Sequence, residues 1–311
     1  MGAVSCCLLG PQRLKPTLID AVRSLNLHGR IATVTAGWQE REDDDQELRE
    51  HLEGRAVNLQ LYRRAESVFA HDPELAQAHR ARQDRLRQLQ ELYVLRLAHA
   101  REAAYEMLRQ PGDDRALEAE REEAFLAVRE LDARHLEKVR GVHLEFEGRW
   151  RPWEREALAH QRHEIERLMA QVDALAVAGG HVAILLNRLR FFGLEKMIGS
   201  KPVLAWSAGA MAMSELVVLF HDNPPQGKGR TEVLENGLGF APSVVPLPHA
   251  RRRLNLGDRN RVIYFARRFA QHLCCPMDEG ARLDWNGERW VAPWGGSALG
   301  PDGQMQGVPA A

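Results

Sequence analysis

The chain has 311 residues, of which 42 are Lys or Arg and 43 are Asp or Glu, so its formal net charge is -1. A balance this close to neutral excludes a whole-chain electrostatic attraction to nucleic acid. No apolar run reaches the roughly 18 residues that a membrane-spanning helix needs, and the first residues lack the basic region of a secretory signal. We therefore expect a cytoplasmic protein with no nucleic-acid or membrane partner.

The four cysteines form two adjacent pairs, Cys6-Cys7 and Cys274-Cys275. Sequence neighbours rarely bond to each other, and the two pairs do not have the spacing of a zinc site. Both lie in apolar segments, which favours buried, reduced thiols. We expect no metal and no cofactor.

The N-terminal part alternates apolar segments with amphipathic ones. We predict strands at Val4–Gly10, Arg30–Ala36 and Val57–Leu61, and an amphipathic helix that begins at Thr17. Gly37-Trp38 follows the second strand, at the strand end where α/β sheets place their ligand-binding loops.

Glu, Arg, Ala and Leu dominate from Tyr62 to about Ala170. Apolar residues recur there every three or four positions, which predicts long helices that break at Pro111-Gly112 and again near Pro152. The first two should form an antiparallel hairpin with coiled-coil packing and fold as an appendage with solvated charged faces. Three roles stay open for it: covering the site, forming a homodimer, or recruiting a partner.

The segment Lys201–Glu215 carries the strongest chemical signal. Val203–Ala205 is typical of the end of a buried strand, and the Ala- and Met-rich residues from Ala208 predict a helix. Ser207 lies between them, and a strand that turns sharply into a helix around one Ser is a nucleophile elbow. The helix N-terminus then supplies N–H groups and partial positive charge beside the hydroxyl. The strict pattern is Gly-x-Ser-x-Gly, and Ala205 occupies its first position. A Ser that only caps a core helix is the alternative.

Further strands and turns surround this elbow. Asp173–Ala178 predicts a strand that leads into Gly179-Gly180-His181. After the elbow, Val217–Phe220 predicts a strand, His221–Gly229 a long loop, and Ser243–His249 an extended segment that ends on a His.

Strands alternate with helices on both sides of the helical middle, which predicts an α/β fold with a mostly parallel sheet flanked by helices. The loops that follow the strands should converge at one edge of this sheet. We expect residues 1–61 and 166–311 to form the α/β domain and residues 62–165 to form a helical insertion.

Several short motifs of this domain match a known family: Ala178-Gly179-Gly180-His181, Trp206-Ser207-Ala208-Gly209-Ala210, Gly237-Leu238-Gly239, Pro248-His249 and Asp278-Glu279-Gly280-Ala281. In these motifs the chain resembles the peptidase E and cyanophycinase family, serine hydrolases on the flavodoxin-like class I glutamine amidotransferase fold. The resemblance leaves out the helical middle. It implies a serine-type peptidase that cuts an amide or isopeptide bond in a small peptide, one that is acidic or contains Asp.

The resemblance also implies the roles of a catalytic triad. Ser207 would be the nucleophile and His249 the general base, with Asp278 or Glu279 as the carboxylate that orients the imidazole. A Ser hydroxyl is a weak nucleophile until an imidazole takes its proton, and a carboxylate fixes the imidazole tautomer.

Candidate binding groups lie around these residues. The backbone N–H groups of Gly180 and Ala208 are the expected oxyanion hole. His181 stands where the family usually has Asn or Asp, and we expect it to contact substrate. Arg251 and Arg253, just after the proposed base, are candidates to bind a substrate carboxylate. Two further cations, Lys228 and Arg230, lie after the strand that follows the elbow.

Three readings of the site follow from the sequence. The first is the amide hydrolase, and the second is an esterase or acyltransferase that uses the same Ser and His. The third is a non-catalytic member of the fold that binds a ligand in the sheet domain and protein through its helices. A glutamine amidotransferase is disfavoured, because Arg251 stands where those enzymes place a Glu.

Overall fold

The computed structural model describes residues 5–112, 114–222 and 229–308. The strands are β1 (Cys6–Leu9), β2 (Ile31–Val34), β3 (Ala56–Asn58), β4 (Ala174–Val177), β5 (Val203–Trp206), β6 (Leu216–His221), β7 (Arg230–Asn236), β8 (Val244–Pro248), β9 (Leu273–Met277), β10 (Arg282–Trp285), β11 (Trp290–Val291), β12 (Ser297–Leu299) and β13 (Met305–Gly307). The α-helices are α1 (Leu18–Ser24), α2 (Gln46–His51), α3 (Leu61–His71), α4 (Pro73–Arg109), α5 (Arg115–Trp150), α6 (Glu156–Met169), α7 (Val182–Phe192), α8 (Ala208–Met213), α9 (Ala250–Arg253) and α10 (Arg259–Arg268). Short 3-10 helices lie at Ala36–Arg41, Pro152–Glu154 and Leu194–Lys196.

The central sheet has seven strands in the order β11-β10-β1-β5-β4-β2-β3. Its five strands from β1 to β3 in this order pair in parallel, and β10 and β11 complete it as an antiparallel hairpin. This confirms the predicted fold class, a mostly parallel sheet flanked by helices.

Helices cover both faces of this sheet. The strands β1, β2, β4 and β5 are buried along their whole length, because both of their faces pack against helices. One core contains residues of α1 and α2, and the other contains residues of α3, α6, α7 and α8. Alternate side chains of each strand enter these two cores, as the period of a strand requires.

Three smaller sheets stand apart from the central one. β6 pairs antiparallel with β7, β8 pairs parallel with β9, and β12 pairs antiparallel with β13. The first two sheets matter for the site, because His221 ends β6 and His249 directly follows β8.

The two longest helices, α4 and α5, form the expected hairpin. Asp72 begins α4 by accepting a hydrogen bond from the Leu75 N–H, with Pro73 in the first helical position. Asp114 begins α5 by accepting from the Leu117 N–H. The structure differs from an appendage, however. The apolar stripes of both helices are buried in one cluster with residues of β6, β7, β8, β9 and α10.

A buried guanidinium fastens the hairpin to the rest of the protein. Arg268 of α10 donates to both carboxylate oxygens of Asp132 on α5, at 2.7 and 2.8 Å, and to the Tyr93 hydroxyl of α4 at 2.9 Å. It also donates to the Thr231 carbonyl of β7 at 2.9 Å. Removing one member of such a buried pair typically costs about 3–5 kcal/mol, so the hairpin and the body share one folded core.

No helix in the described ranges is both long enough and apolar enough to cross a membrane.

Candidate active site

A cavity of about 1570 Å³ opens at the C-terminal edge of the parallel strands. Gly37 and Trp38 after β2, Gly180 after β4, Ser207 after β5 and His249 after β8 all line it. The strand ends that the sequence predicted to converge therefore surround one space.

Ser207 joins β5 directly to α8 in a backbone conformation that residues with a side chain rarely adopt. Its φ is 52° and its ψ is -121°. A Cβ atom on Gly179 would lie 2.8 Å from the Cβ of Ser207, and one on Gly209 would collide with the Val177 carbonyl oxygen. The glycines on either side therefore let the turn close against β4, and the Ser207 side chain is left half-buried at the cavity.

The two predicted oxyanion donors line the same cavity as the nucleophile candidate. Ala208 is the first residue of α8, so its N–H has no acceptor within the helix. Gly180 has a φ of 112° and packs so tightly against the backbone of Gly37 that a Cβ atom would not fit. Both residues line the cavity.

His249 ends the β8 segment and begins α9, with φ of 56° and ψ of 38°. Its N–H donates to the Met277 carbonyl at 3.1 Å, which ties it to β9. Burial of the half-buried imidazole, and then the nearby Arg253 cation, lower the pKa of His249 below its ordinary value. The imidazole is therefore neutral at neutral pH, the form that accepts a proton. Within the described ranges it makes no hydrogen bond to Ser207.

The two candidate carboxylates differ in their surroundings. Asp278 is half-buried, and its Oδ1 accepts from the Arg251 N–H at 3.1 Å. Burial raises the pKa of Asp278. Glu279 is exposed, and its charge raises the pKa of His249 more than the charge of Asp278 does. Neither carboxylate is hydrogen-bonded to His249 in the described part of the chain.

The predicted substrate-binding residues differ in whether they reach the cavity. Among the residues described around the cavity, Arg253 lines it, whereas His181 and Arg251 do not. The His181 ring caps α7 by accepting from the Ile184 N–H at 3.3 Å. The Arg251 side chain is 86% exposed and lies 3.7 Å from Asp278. Lys228 lies outside the described residues, as does the side chain of Arg230.

Sequence reasoning missed several polar and charged side chains of the cavity wall, among them Arg13, Arg41, His221 and Glu232. For Glu232 a signal existed. Its neighbours in β7, Thr231 and Val233, are fully buried, so strand alternation directs Glu232 to the opposite face. Within the described ranges, no group of three or more His, Cys, Asp or Glu side chains could hold a metal ion.

Comparison with known proteins gives a match to one family model and matches to solved structures, two of which are described here. The model of peptidase family S51 matches residues 128–291, more than half of the chain. A peptidase from an acI-B1 Actinobacterium is 11% identical with a TM-score of 0.49, and the match covers 100% of this chain and 97% of that one. A putative peptidase E protein from Listeria monocytogenes EGD-e is 17% identical with a TM-score of 0.30, over 42% of this chain and 63% of that one. No curated protein matches the sequence.

The conformation of Ser207 leads to a stability prediction. Glycine adopts a positive φ without strain, so Ser207→Gly should raise the free energy of unfolding by about 1 kcal/mol relative to Ser207→Ala. Urea denaturation of the two variants measures the difference. Ser214, which follows α8 with a φ of -70°, is the control position. There Ser214→Gly should be less stable than Ser214→Ala, because the backbone is not strained and glycine loses more conformational entropy on folding. A Ser207→Gly variant less stable than Ser207→Ala would contradict the strain.

Proposed function

The chain belongs to peptidase family S51, and from this premise we propose that it is a serine peptidase in which Ser207 attacks the substrate carbonyl and His249 is the general base. The observation that carries the proposal is the strained Ser207 turn, which faces the same cavity as an imidazole whose pKa is lowered. Backbone strain of this kind persists at functional sites, where the surrounding structure enforces it.

The proposed reaction proceeds by acyl transfer. The neutral imidazole of His249 takes the proton of the Ser207 hydroxyl while its Oγ bonds to the carbonyl carbon of the scissile amide. The oxygen of that carbonyl becomes an anion, which the N–H groups of Ala208 and Gly180 stabilise. His249 then gives its proton to the departing amine. Water, activated by His249 in the same way, releases the acyl group and restores the serine.

Glu279 is the carboxylate that we assign to the orientation of His249. Asp278 already accepts a hydrogen bond from the Arg251 backbone and lies beside the Arg251 side chain. Glu279 has no such engagement among the described residues, and its charge acts more strongly on His249. An exposed side chain changes rotamer on a picosecond to nanosecond timescale, so Glu279 is free to turn toward the imidazole when substrate binds.

Arg253 is the residue that we assign to substrate recognition. Its half-buried side chain lines the cavity, and it forms no ion pair within the described residues. A guanidinium in this position binds a carboxylate through two parallel hydrogen bonds. The substrate class that fits is a small peptide with an acidic side chain beside the scissile amide or isopeptide bond.

A fluorophosphonate probe tests the nucleophile. Ser207→Ala should fold as the wild type does but lose both peptide hydrolysis and covalent labelling, because the attacking oxygen is gone. Ser243→Ala is the matched control, an exposed serine whose φ is also 52°, and it should keep both activities. Labelling that persists in Ser207→Ala would refute the assignment. A wild type that never labels would favour the non-catalytic binding protein.

The pH profile tests the base. Activity falls as His249 becomes protonated, and its lowered pKa places the midpoint of the acidic limb of kcat/KM below the usual value of about 6.5. Arg253→Gln removes a cation that lowers this pKa, so the midpoint should move to higher pH. Arg251→Gln is the matched control and should leave the midpoint in place. A midpoint that moves equally in both variants would refute the local effect of Arg253.

A set of three dipeptides tests the substrate charge. The wild type should prefer Asp-Leu over Asn-Leu and Lys-Leu. Arg253→Ala should lower kcat/KM for Asp-Leu about 10- to 100-fold, the value of a charge-assisted contact of about 1.5–3 kcal/mol. Arg251→Ala should change it less than about two-fold, because that side chain is exposed to solvent. Equal turnover of the three dipeptides would exclude the preference.

A further inference from the structure

Side chains of α4 and α10 form hydrogen bonds along the edge of β7 that does not pair with β6. The Thr231 carbonyl accepts from Arg268 at 2.9 Å, and the Val233 N–H donates to the Tyr93 hydroxyl at 3.2 Å. Gln90 of α4 donates to the Val233 carbonyl at 3.3 Å. The groups of these two residues lie on the edge that β6 does not use. The hairpin thus fixes one strand of the cavity wall.

A second buried arginine extends this connection toward the cavity. Arg261 of α10 is 8% exposed, and its Nη1 donates to the hydroxyl of Tyr105 on α4 at 3.0 Å. Its Nη2 donates to the Thr231 hydroxyl at 2.6 Å. Its Nε and Nη2 also engage both carboxylate oxygens of Asp222, the residue that follows β6. One guanidinium therefore joins the hairpin, β7 and the end of β6.

Asp222 is hydrogen-bonded in turn to the backbone of the segment that contains Arg253, the proposed substrate-binding residue. Its N–H donates to the Arg253 carbonyl at 2.7 Å, and its Oδ2 accepts from the Asn255 N–H at 2.8 Å. These bonds hold the backbone on both sides of Leu254. At the other end of α9, the Arg253 N–H donates to the His249 carbonyl at 2.9 Å.

We propose that Arg261 is a positioning residue through which the helical hairpin sets the place of Arg253 in the cavity. The connection runs from Tyr105 to Arg261, then to Asp222 and the Arg253 backbone. This proposal rests on the proposed function, in which Arg253 binds a substrate carboxylate.

The Arg253 side chain is long and flexible, so its position in the cavity depends on how firmly its backbone is held. Arg253 has several rotatable bonds, and its guanidinium has no ion pair among the described residues to hold it. A bidentate contact with a carboxylate requires correct placement to within roughly 0.5 Å, so a shift of the backbone weakens binding directly. The chemical step depends on Ser207, which the parallel sheet places, and on His249, whose N–H also donates to the Met277 carbonyl of β9. Loss of the connection should therefore raise KM and leave kcat almost unchanged.

The experiment measures KM and kcat for Asp-Leu in the full chain. Arg261→Lys keeps the charge but loses the planar fork, and KM should rise about ten-fold. Tyr105→Phe removes only the hydroxyl that links Arg261 to the hairpin, and KM should rise about three-fold. In both variants kcat should stay within about two-fold. Tyr105→Phe keeps the inference testable even where Arg261→Lys folds poorly, which a thermal melt reports.

Tyr264→Phe is the matched control. The Tyr264 ring stacks on Tyr105 with centroids 4.7 Å apart, but its hydroxyl accepts from Arg268 and not from Arg261. This variant should leave KM unchanged. A double-mutant cycle identifies the route: in an Arg253→Ala background, neither Arg261→Lys nor Tyr105→Phe should raise KM further.

The outcomes separate this inference from the function on which it rests. A wild type that does not hydrolyse Asp-Leu, or an Arg253→Ala variant with unchanged KM, overturns the proposed function and this inference together. A raised KM in Arg253→Ala with unchanged KM in both Arg261→Lys and Tyr105→Phe overturns this inference alone. The inference is also overturned if Arg261→Lys and Tyr105→Phe raise KM as much in the Arg253→Ala background as in the wild type. That result would mean that they act through a general structural effect and not through Arg253.

Discussion

The close contact between the turn after β4 and the turn after β5 is the constraint on which the site depends. Gly179 lies against the Cβ of Ser207, and Gly209 lies against the Val177 carbonyl. Only residues without a side chain allow this approach, and the approach holds Ser207 at a positive φ. The strain costs about 1–3 kcal/mol. It persists because β4 and β5 are buried on both faces, so the backbone of the turn cannot relax to an unstrained conformation. The position of the hydroxyl is thus a property of the sheet backbone.

The part of the cavity wall that carries His221 and His249 has a different kind of support. β6, β7, β8 and α9 lie outside the seven-stranded sheet, so its ladder does not fix them. Buried side chains do so instead: Arg268 and Arg261 of α10 hold Thr231 and Asp222 against the hairpin. The same apolar cluster contains residues of the hairpin and of this wall. The helical insertion is therefore part of what builds the cavity.

The sequence was informative where one residue property decides the structure. Buried parallel strands are continuous apolar runs, so the central strands were predictable, and their shared C-terminal edge placed Ser207 beside the loops of Gly37 and Gly180 in advance. The choice between Arg251 and Arg253 was not predictable, because no helix was predicted for the residues that directly follow His249. The chain instead turns into α9, which sets Arg253 one helical turn from His249 and directs Arg251 to solvent. The burial of the hairpin was hidden for a similar reason. Asp132 and Arg268 are 136 residues apart, and each alone looks like a surface charge.

The proximity of Arg253 to His249 also connects binding to chemistry under the proposed function. In the free protein burial lowers the pKa of His249 most, and the Arg253 cation lowers it further. A substrate carboxylate paired with Arg253 would cancel most of the cation's effect, because the pair presents little net charge to the imidazole. The pKa of His249 would then rise by the part that the cation had lowered, while burial keeps it below its ordinary value. A stronger base would therefore face the Ser207 hydroxyl only when an acidic substrate is in place. A peptide without the carboxylate would leave Arg253 uncompensated and His249 a weaker base. Selectivity for acidic substrates would therefore arise in the proton transfer as well as in binding, from a single arginine whose backbone the hairpin holds.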